Sequence, residues 1–216
     1  TTSAVERNAD LVALAEAAGC SLALATDAVI EAMADTVTPQ GVLAVARYLE
    51  VDLESVVSQG VSHVVVLHQV KDPGNVGNII RTADAAGVDA VVVTAESVDV
   101  FNPKVVRAST GSIFHIPVVT GVELRPTISA LTEAGLTIFA ADAGGQNLGD
   151  VRAEGGLHGP LAWLLGNEAH GLAPEDEALA DAIVSVPMFG DAESLSLQTA
   201  AAVCIYEAAF AKNSSA

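Results

Sequence analysis

Basic residues are the first scarcity in this 216-residue chain. Nine Lys and Arg stand against 27 Asp and Glu, a net charge of −18. Generic nucleic-acid binding rests on Lys and Arg contacts to phosphate, so that class is disfavoured. Cysteine is scarcer still. Cys20 and Cys204 lie far apart in apolar sequence, with no Cys or His at zinc-ligand spacing. They are expected to be buried free thiols of a reducing cytoplasm, and no metal is expected. No run of 18 apolar residues lacks a charge or a helix breaker, so no membrane helix is expected. Nor does a basic-then-apolar start suggest a signal peptide. The phosphate loops of common nucleotide folds are missing too. "DPGNVGNIIRTADAAG" (72–87) has Gly74-x-x-Gly77, without the third glycine of G-x-G-x-x-G or the Lys-Ser/Thr of a P-loop. A nucleotide-dependent Rossmann enzyme is therefore poorly supported.

What is present is 51% hydrophobic residues, enough for one large or two small cores. Four of the nine basic residues, Lys71, Arg81, Lys104 and Arg107, fall between positions 71 and 107, a local basic patch on an acidic body. Residues 1–50 read helix (6–19), strand (21–26), a helix capped by Asp27, and strand (42–49). Residues 51–60 read as an acidic, then polar, linker. From 61 the chain alternates. Strands are predicted at 63–70, 89–94, 115–120, 136–142, 160–166 and 182–188. Helices fall between them, and a last one spans 194–211. Such alternation implies a parallel α/β sheet whose ligands sit beyond the strands' carboxyl ends.

Three loops there could carry chemistry. In the first, Asn75 suits a helix N-cap, Gly77 suits close packing, and Arg81 among Ile79, Ile80 and Ala83 suggests a partly buried arginine wanting a phosphate or carboxylate. In "LLGNEAHGL" (164–172), a buried strand runs into Gly166, which leaves room for a ligand to approach backbone, and Glu168 faces the crevice. In "VSVPMFGDAESLSLQ" (184–198), Ser194 opens the last helix, as an N-cap if read alone.

Taken together, "NVGNIIRTADAAG", "LLGNEAHGL" and "VPMFGDAESLSLQTAAAV" resemble, in order and spacing, the three signature motifs of the SpoU/TrmH family of RNA 2′-O-ribose methyltransferases. The resemblance covers about residues 61–211. It implies a knotted methyltransferase domain over 61–216, a homodimer, bound S-adenosyl-L-methionine, and RNA as substrate, ribosomal rather than transfer RNA. Residues 1–50 resemble the back half of a ribosomal-protein-like RNA-binding domain, its opening strands and helix being absent. By matching positions, the resemblance puts Asn75, Arg81, Glu168, Ser194 and Ser196 in the catalytic set. It puts Ala141, Asp142, Leu165, Gly166, Asn167, Gly171, Val186, Met188 and Leu195 on the cofactor. Asn75 would orient Arg81 or the ribose, and Glu168 and Ser194 would fix the arginine. Ser196 stands where the family usually has asparagine, which leaves a non-catalytic RNA-binding paralogue as the alternative. The final helix is apolar on more than one face, which suits a subunit interface.

Overall fold

The computed structural model describes residues 1–49 and 51–213. It divides into two compact units, Thr1–Tyr48 and a second that begins at Leu49.

The first unit holds α1 (Thr2–Arg7), α2 (Ala9–Ala17) and α3 (Asp27–Met33). The single helix expected over 6–19 is broken at Asn8, whose side-chain amide donates back to the Ala4 carbonyl at 2.8 Å. Thr26, not Asp27, caps α3 by accepting from the Val29 N–H. Neither expected strand forms: residues 21–26 and 42–49 are irregular and mostly exposed. Their apolar alternation is real, but a strand needs a neighbouring ladder for its backbone groups, and none lies alongside among the described residues. Ala4 and Ile30 are the buried apolar residues of this unit. Cys20 is exposed rather than buried, because it follows α2 into that irregular stretch.

The second unit opens with α4 (Leu53–Ser58), in the stretch expected as a linker. Asp52 caps it, accepting from the Ser55 N–H at 2.7 Å, and Val56 is buried. Then follow β1 (His63–Leu67), α5 (Pro73–Ala85), β2 (Ala90–Thr94), α6 (Pro103–Ala108), β3 (Val118–Val122) and α7 (Leu124–Glu133). The chain continues through β4 (Thr137–Asn147), α8 (Leu148–Ala153), β5 (Leu161–Leu165), α9 (Pro174–Glu177), β6 (Ala182–Ser185) and α10 (Leu197–Asn213). All sheet pairings are parallel, in the order β3-β2-β1-β5-β4-β6. The α/β expectation therefore holds.

Central strands covered on both faces need continuous apolar runs, and "HVVVL" and "LAWLL" are buried throughout. Leu67, Val93 and Trp163 face α5, α8 and α10 on one side. Val66, Val92 and Leu164 face α4 and α7 on the other. Gly77 makes the α5–α6 contact possible. A Cβ there would meet the Ala108 Cβ at 2.5 Å and the Val105 carbonyl at 2.6 Å. Cys204 on α10 lies in this core, where burial pushes its thiol up to about 12.

His63 at the start of β1 is 2% exposed, and its Nε2 has no hydrogen-bond partner among the described residues. Burial, then the nearby Lys212 charge, lower its pKa from 6.5 to about 4, against a weaker upward pull from Asp89. Below pH 6.5 the unfolded chain takes up a proton that the folded one refuses. Stability is thus expected to fall between pH 6.5 and about 4, by on the order of 3 kcal/mol, and to level off below. Urea unfolding against pH should show this slope, and His63→Asn should remove it.

Candidate active site

The sheet order changes direction between β1 and β5. From β1 the chain steps outward to β2 and β3, then returns beyond β5 to β4. Such a switch point opens a crevice at the strands' carboxyl ends. Three loops meet there: residues 68–72 after β1, 166–172 after β5, and 186–196 after β6.

In the first loop Gln69 has φ 56°, a left-handed conformation uncommon for a side-chain-bearing residue. The Asn167 amide holds its carbonyl at 2.9 Å. Before it, His68 is buried, with Nδ1 3.1 Å from the Thr94 hydroxyl and Nε2 3.2 Å from the Asp176 carboxylate. Sequence reading missed His68; its position at the end of a buried strand was the available signal. Asp72, not Asn75, caps α5, accepting from the Asn75 N–H at 2.8 Å, with Pro73 in the first turn. Asn75 is thus freed to use its side chain elsewhere.

It turns to Glu168. The Glu168 carboxylate accepts from the Lys71 N–H at 3.2 Å, the Asp72 N–H at 2.9 Å and the Asn75 amide at 3.1 Å. Desolvation pushes this carboxyl up. Hydrogen bonds from the Asp72 N–H, its own N–H, Asn75 and Lys71 outweigh that and hold it below the usual carboxylate value. A negative charge against the first turn of α5 also complements the helix dipole. Glu168 therefore clamps the first loop to the second.

Asn167 builds the second loop. Its backbone exchanges both hydrogen bonds with Gly171, at 3.0 and 2.9 Å, and its Oδ1 accepts from the Ala169 and His170 N–H groups. Gly166 is needed for this turn. A Cβ there would meet the Gly171 carbonyl carbon and oxygen, each at 2.6 Å, so the glycine makes room for the chain itself rather than for a ligand. Gly166→Val is accordingly expected to destabilise the fold by about 1–3 kcal/mol or more as an overpacked site. Urea denaturation should show a lowered midpoint.

In the third loop, α10 starts at Leu197, and the Ser196 carbonyl accepts from the Thr199 and Ala200 N–H groups, both at 3.0 Å. Ser196 therefore holds the N-cap position expected for Ser194. Serine and asparagine cap about equally well, so Ser196 in place of asparagine costs the helix little. Ser194 lies two residues outside, exposed.

A cavity of about 520 Å³ lies among these loops. Of the residues expected on the cofactor, Ala141, Asp142, Gly166, Asn167, Gly171, Val186, Met188 and Leu195 line it, together with Glu168 and Ser194. Leu165 does not. It is buried in β5, where its carbonyl accepts from the His68 N–H at 2.8 Å. Asn75, Arg81 and Ser196 also lie outside the lining. Arg81 is exposed rather than partly buried, on the α5 side of a separate groove shared with Gln198 and Tyr206 of α10. Its guanidinium makes no hydrogen bond or ion pair among the described residues, so neither Glu168 nor Ser194 fixes it within one chain. Among those residues no group of three or more His, Cys, Asp or Glu could hold a metal, and no helix is long and apolar enough to cross a membrane.

A parallel sheet whose switch-point cavity is built by these three loops is the architecture of an α/β enzyme, and comparison with known proteins gives the family. Residues 62–206 match the SpoU rRNA Methylase family, and the chain belongs to it, among the S-adenosyl-L-methionine-dependent RNA 2′-O-methyltransferases. It is 37% identical over 175 residues to the 23S rRNA (guanosine(2553)-2′-O)-methyltransferase RlmP of Bacillus subtilis, covering 81% of this chain and 67% of that protein. It is 33% identical over 207 residues to the 23S rRNA (guanosine-2′-O-)-methyltransferase RlmB of Ralstonia nicotianae, covering 94% of this chain and 82% of that one. The AdoMet-bound rRNA methyltransferase of Sinorhizobium meliloti superposes with a TM-score of 0.62 at 36% identity, over 68% of this chain. This chain spans 55% of that structure's length.

Proposed function

We propose that the chain methylates a ribose 2′-hydroxyl of ribosomal RNA, with S-adenosyl-L-methionine held in the 520 Å³ cavity. The observation that carries this is the Glu168 clamp, which joins the first two loops beside that cavity. The lining suits the cofactor: Asp142, Glu168 and Glu193 bring carboxylates, Val186, Met188 and Leu195 bring apolar surface, and among the described residues no Lys, Arg or His joins them. Bound there, the cofactor supplies an electrophilic methyl carbon on a positively charged sulfur.

The chain's own task is to deliver the ribose oxygen. A 2′-hydroxyl is a weak nucleophile, so the site must take its proton or stabilise the forming alkoxide. Arg81 is free for that work: its planar fork can grip a phosphate and face the developing charge, though a guanidinium is a reluctant base. Ser194 offers a hydroxyl in the cavity wall.

A homodimer with α10 in the interface belongs to the same reading. Tyr206 and Phe210 are 36% and 52% exposed on that helix, with ring centroids 5.6 Å apart. A second copy seated there would cover the groove of Arg81. Light scattering at micromolar concentration is expected to give the dimer mass, and a monomer would overturn this part. We also read residues 186–196 as threading a trefoil knot. The support is that β6 is an edge strand while α10 packs back over α5 and β5. The first unit is read as part of an RNA-binding domain, since the similarity to the Ralstonia protein covers 94% of this chain. The reaction is placed in the cytoplasm, where RNA and free thiols coexist.

The test is methyl transfer from labelled cofactor to ribosomal and transfer RNA, with the product mapped as a ribose resistant to alkaline cleavage. Labelled ribosomal RNA supports the proposal. Cofactor binding with no transfer to any RNA would support the non-catalytic paralogue instead.

A further inference from the structure

The cavity wall carries three carboxylates, and they are not equivalent. Glu168 is saturated by the Lys71, Asp72 and Asn75 donors. Asp142 accepts from the Ala143 N–H at 2.5 Å and the Leu172 N–H at 3.2 Å. Glu193, in the loop between β6 and α10, lines the same cavity but makes no hydrogen bond or ion pair among the described residues. N–H dipoles aimed at a carboxylate offset much of its field. An uncommitted carboxylate keeps it.

On the reading that this cavity holds S-adenosyl-L-methionine, we infer that Glu193 is the residue that distinguishes the charged cofactor from its neutral product. The two molecules share the adenosine and the amino-acid end. They differ at sulfur: a sulfonium carries one positive charge, and the thioether left after transfer carries none. A contact to the shared parts changes both affinities together and cancels in their ratio. A charge acting on the sulfur does not cancel. Among the described residues the lining contains no basic side chain to neutralise Glu193, so its attraction is spent on the ligand that still has a methyl group to give. Once the charge is gone the attraction goes with it, and product leaves more readily than cofactor.

If the sulfur sits within several ångströms of Glu193 in this partly wet cavity, one unit charge corresponds to about 3- to 10-fold in the affinity ratio. It should shrink with added salt, because Glu193 is exposed.

Calorimetry on the full chain tests this with three ligands: S-adenosyl-L-methionine, S-adenosyl-L-homocysteine, and sinefungin, whose amine restores a positive charge close to the sulfonium's position. Glu193→Gln is expected to weaken the two cationic ligands by about 3- to 10-fold and leave the neutral one nearly unchanged. Glu193→Asp should retain most of the discrimination. An unaltered melting temperature for both variants is expected, since the side chain has no partner to lose. Equal weakening of all three ligands, or an unchanged ratio, would overturn the role of Glu193 while leaving the cofactor site in place. If the wild-type chain binds none of the three, the cofactor reading itself falls, and this inference with it.

Discussion

Arg81→Lys should lower kcat about 100-fold or more, the scale of removing one preorganised donor to a developing oxyanion, while cofactor affinity stays within about twofold. The charge survives the change; the planar fork that holds two oxygens at once does not. The structure sharpens this expectation. Arg81 is exposed, and among the described residues its guanidinium makes no hydrogen bond or ion pair. The groove it lines, with Asn78, Thr82, Gln198, Thr199 and Tyr206, contains no carboxylate among the described residues. A fold-stabilising ion pair is therefore not what the residue supplies, and loss of rate without loss of stability is the signature to look for. Single-turnover methylation separates chemistry from RNA binding. Full activity in Arg81→Lys would take Arg81 out of the mechanism.

Glu168→Ala is the second large effect. It removes the acceptor of three donors at once and uncouples the loop after β1 from the loop after β5. The donors are near solvent, so water replaces much of what is lost, and the stability change is expected to be about 1 kcal/mol. The rate should fall far more, by about 100-fold, because a site held loosely forfeits the orientation its chemistry needs. Glu168→Gln should fall between, since the amide oxygen still accepts but carries no charge. The acid side of the pH–rate profile offers a further check. The carboxyl is held below its ordinary value, so the clamp is fully present above the unfolded-state pKa and is lost only as pH falls through the lower folded-state value. In Glu168→Gln that acid limb should disappear. A variant as fast as wild type would reduce the clamp to an incidental contact.

The sequence makes the sheet legible and the first unit much less so, for one physical reason. "HVVVL" and "LAWLL" announce strands because both faces are covered, so every position must be apolar. "SLALAT" and "VLAVARYL" show a strand's alternation too, but pairing is a property of two segments, and no partner lies beside them among the described residues. The stretch 51–60 reads as a polar linker because α4 is a single short helix that buries little beyond Val56. In the site, the motifs singled out Glu168 and Ser194, and both line one cavity. They did not foretell that Asn75 and Glu168 hold each other, because side-chain direction at a helix start depends on which residue caps it; nor did they foretell that Arg81, further along α5, stands apart. The residue that caps α5 is Asp72.

The position of β5 has a consequence for how the molecule is made. His63 pairs with Leu161 on one flank of β5, and Thr137 pairs with Leu161 on the other. Both neighbours are synthesised first, so the centre of the sheet stays an open slot, two bare apolar edges wide, until residues 161–165 arrive. Nearest-in-sequence pairing cannot fill it. Refolding is consequently expected to be slow and dominated by non-local contacts, and a nascent chain stalled before Leu161 should be the most aggregation-prone species on the pathway, since exposed strand edges recruit other chains.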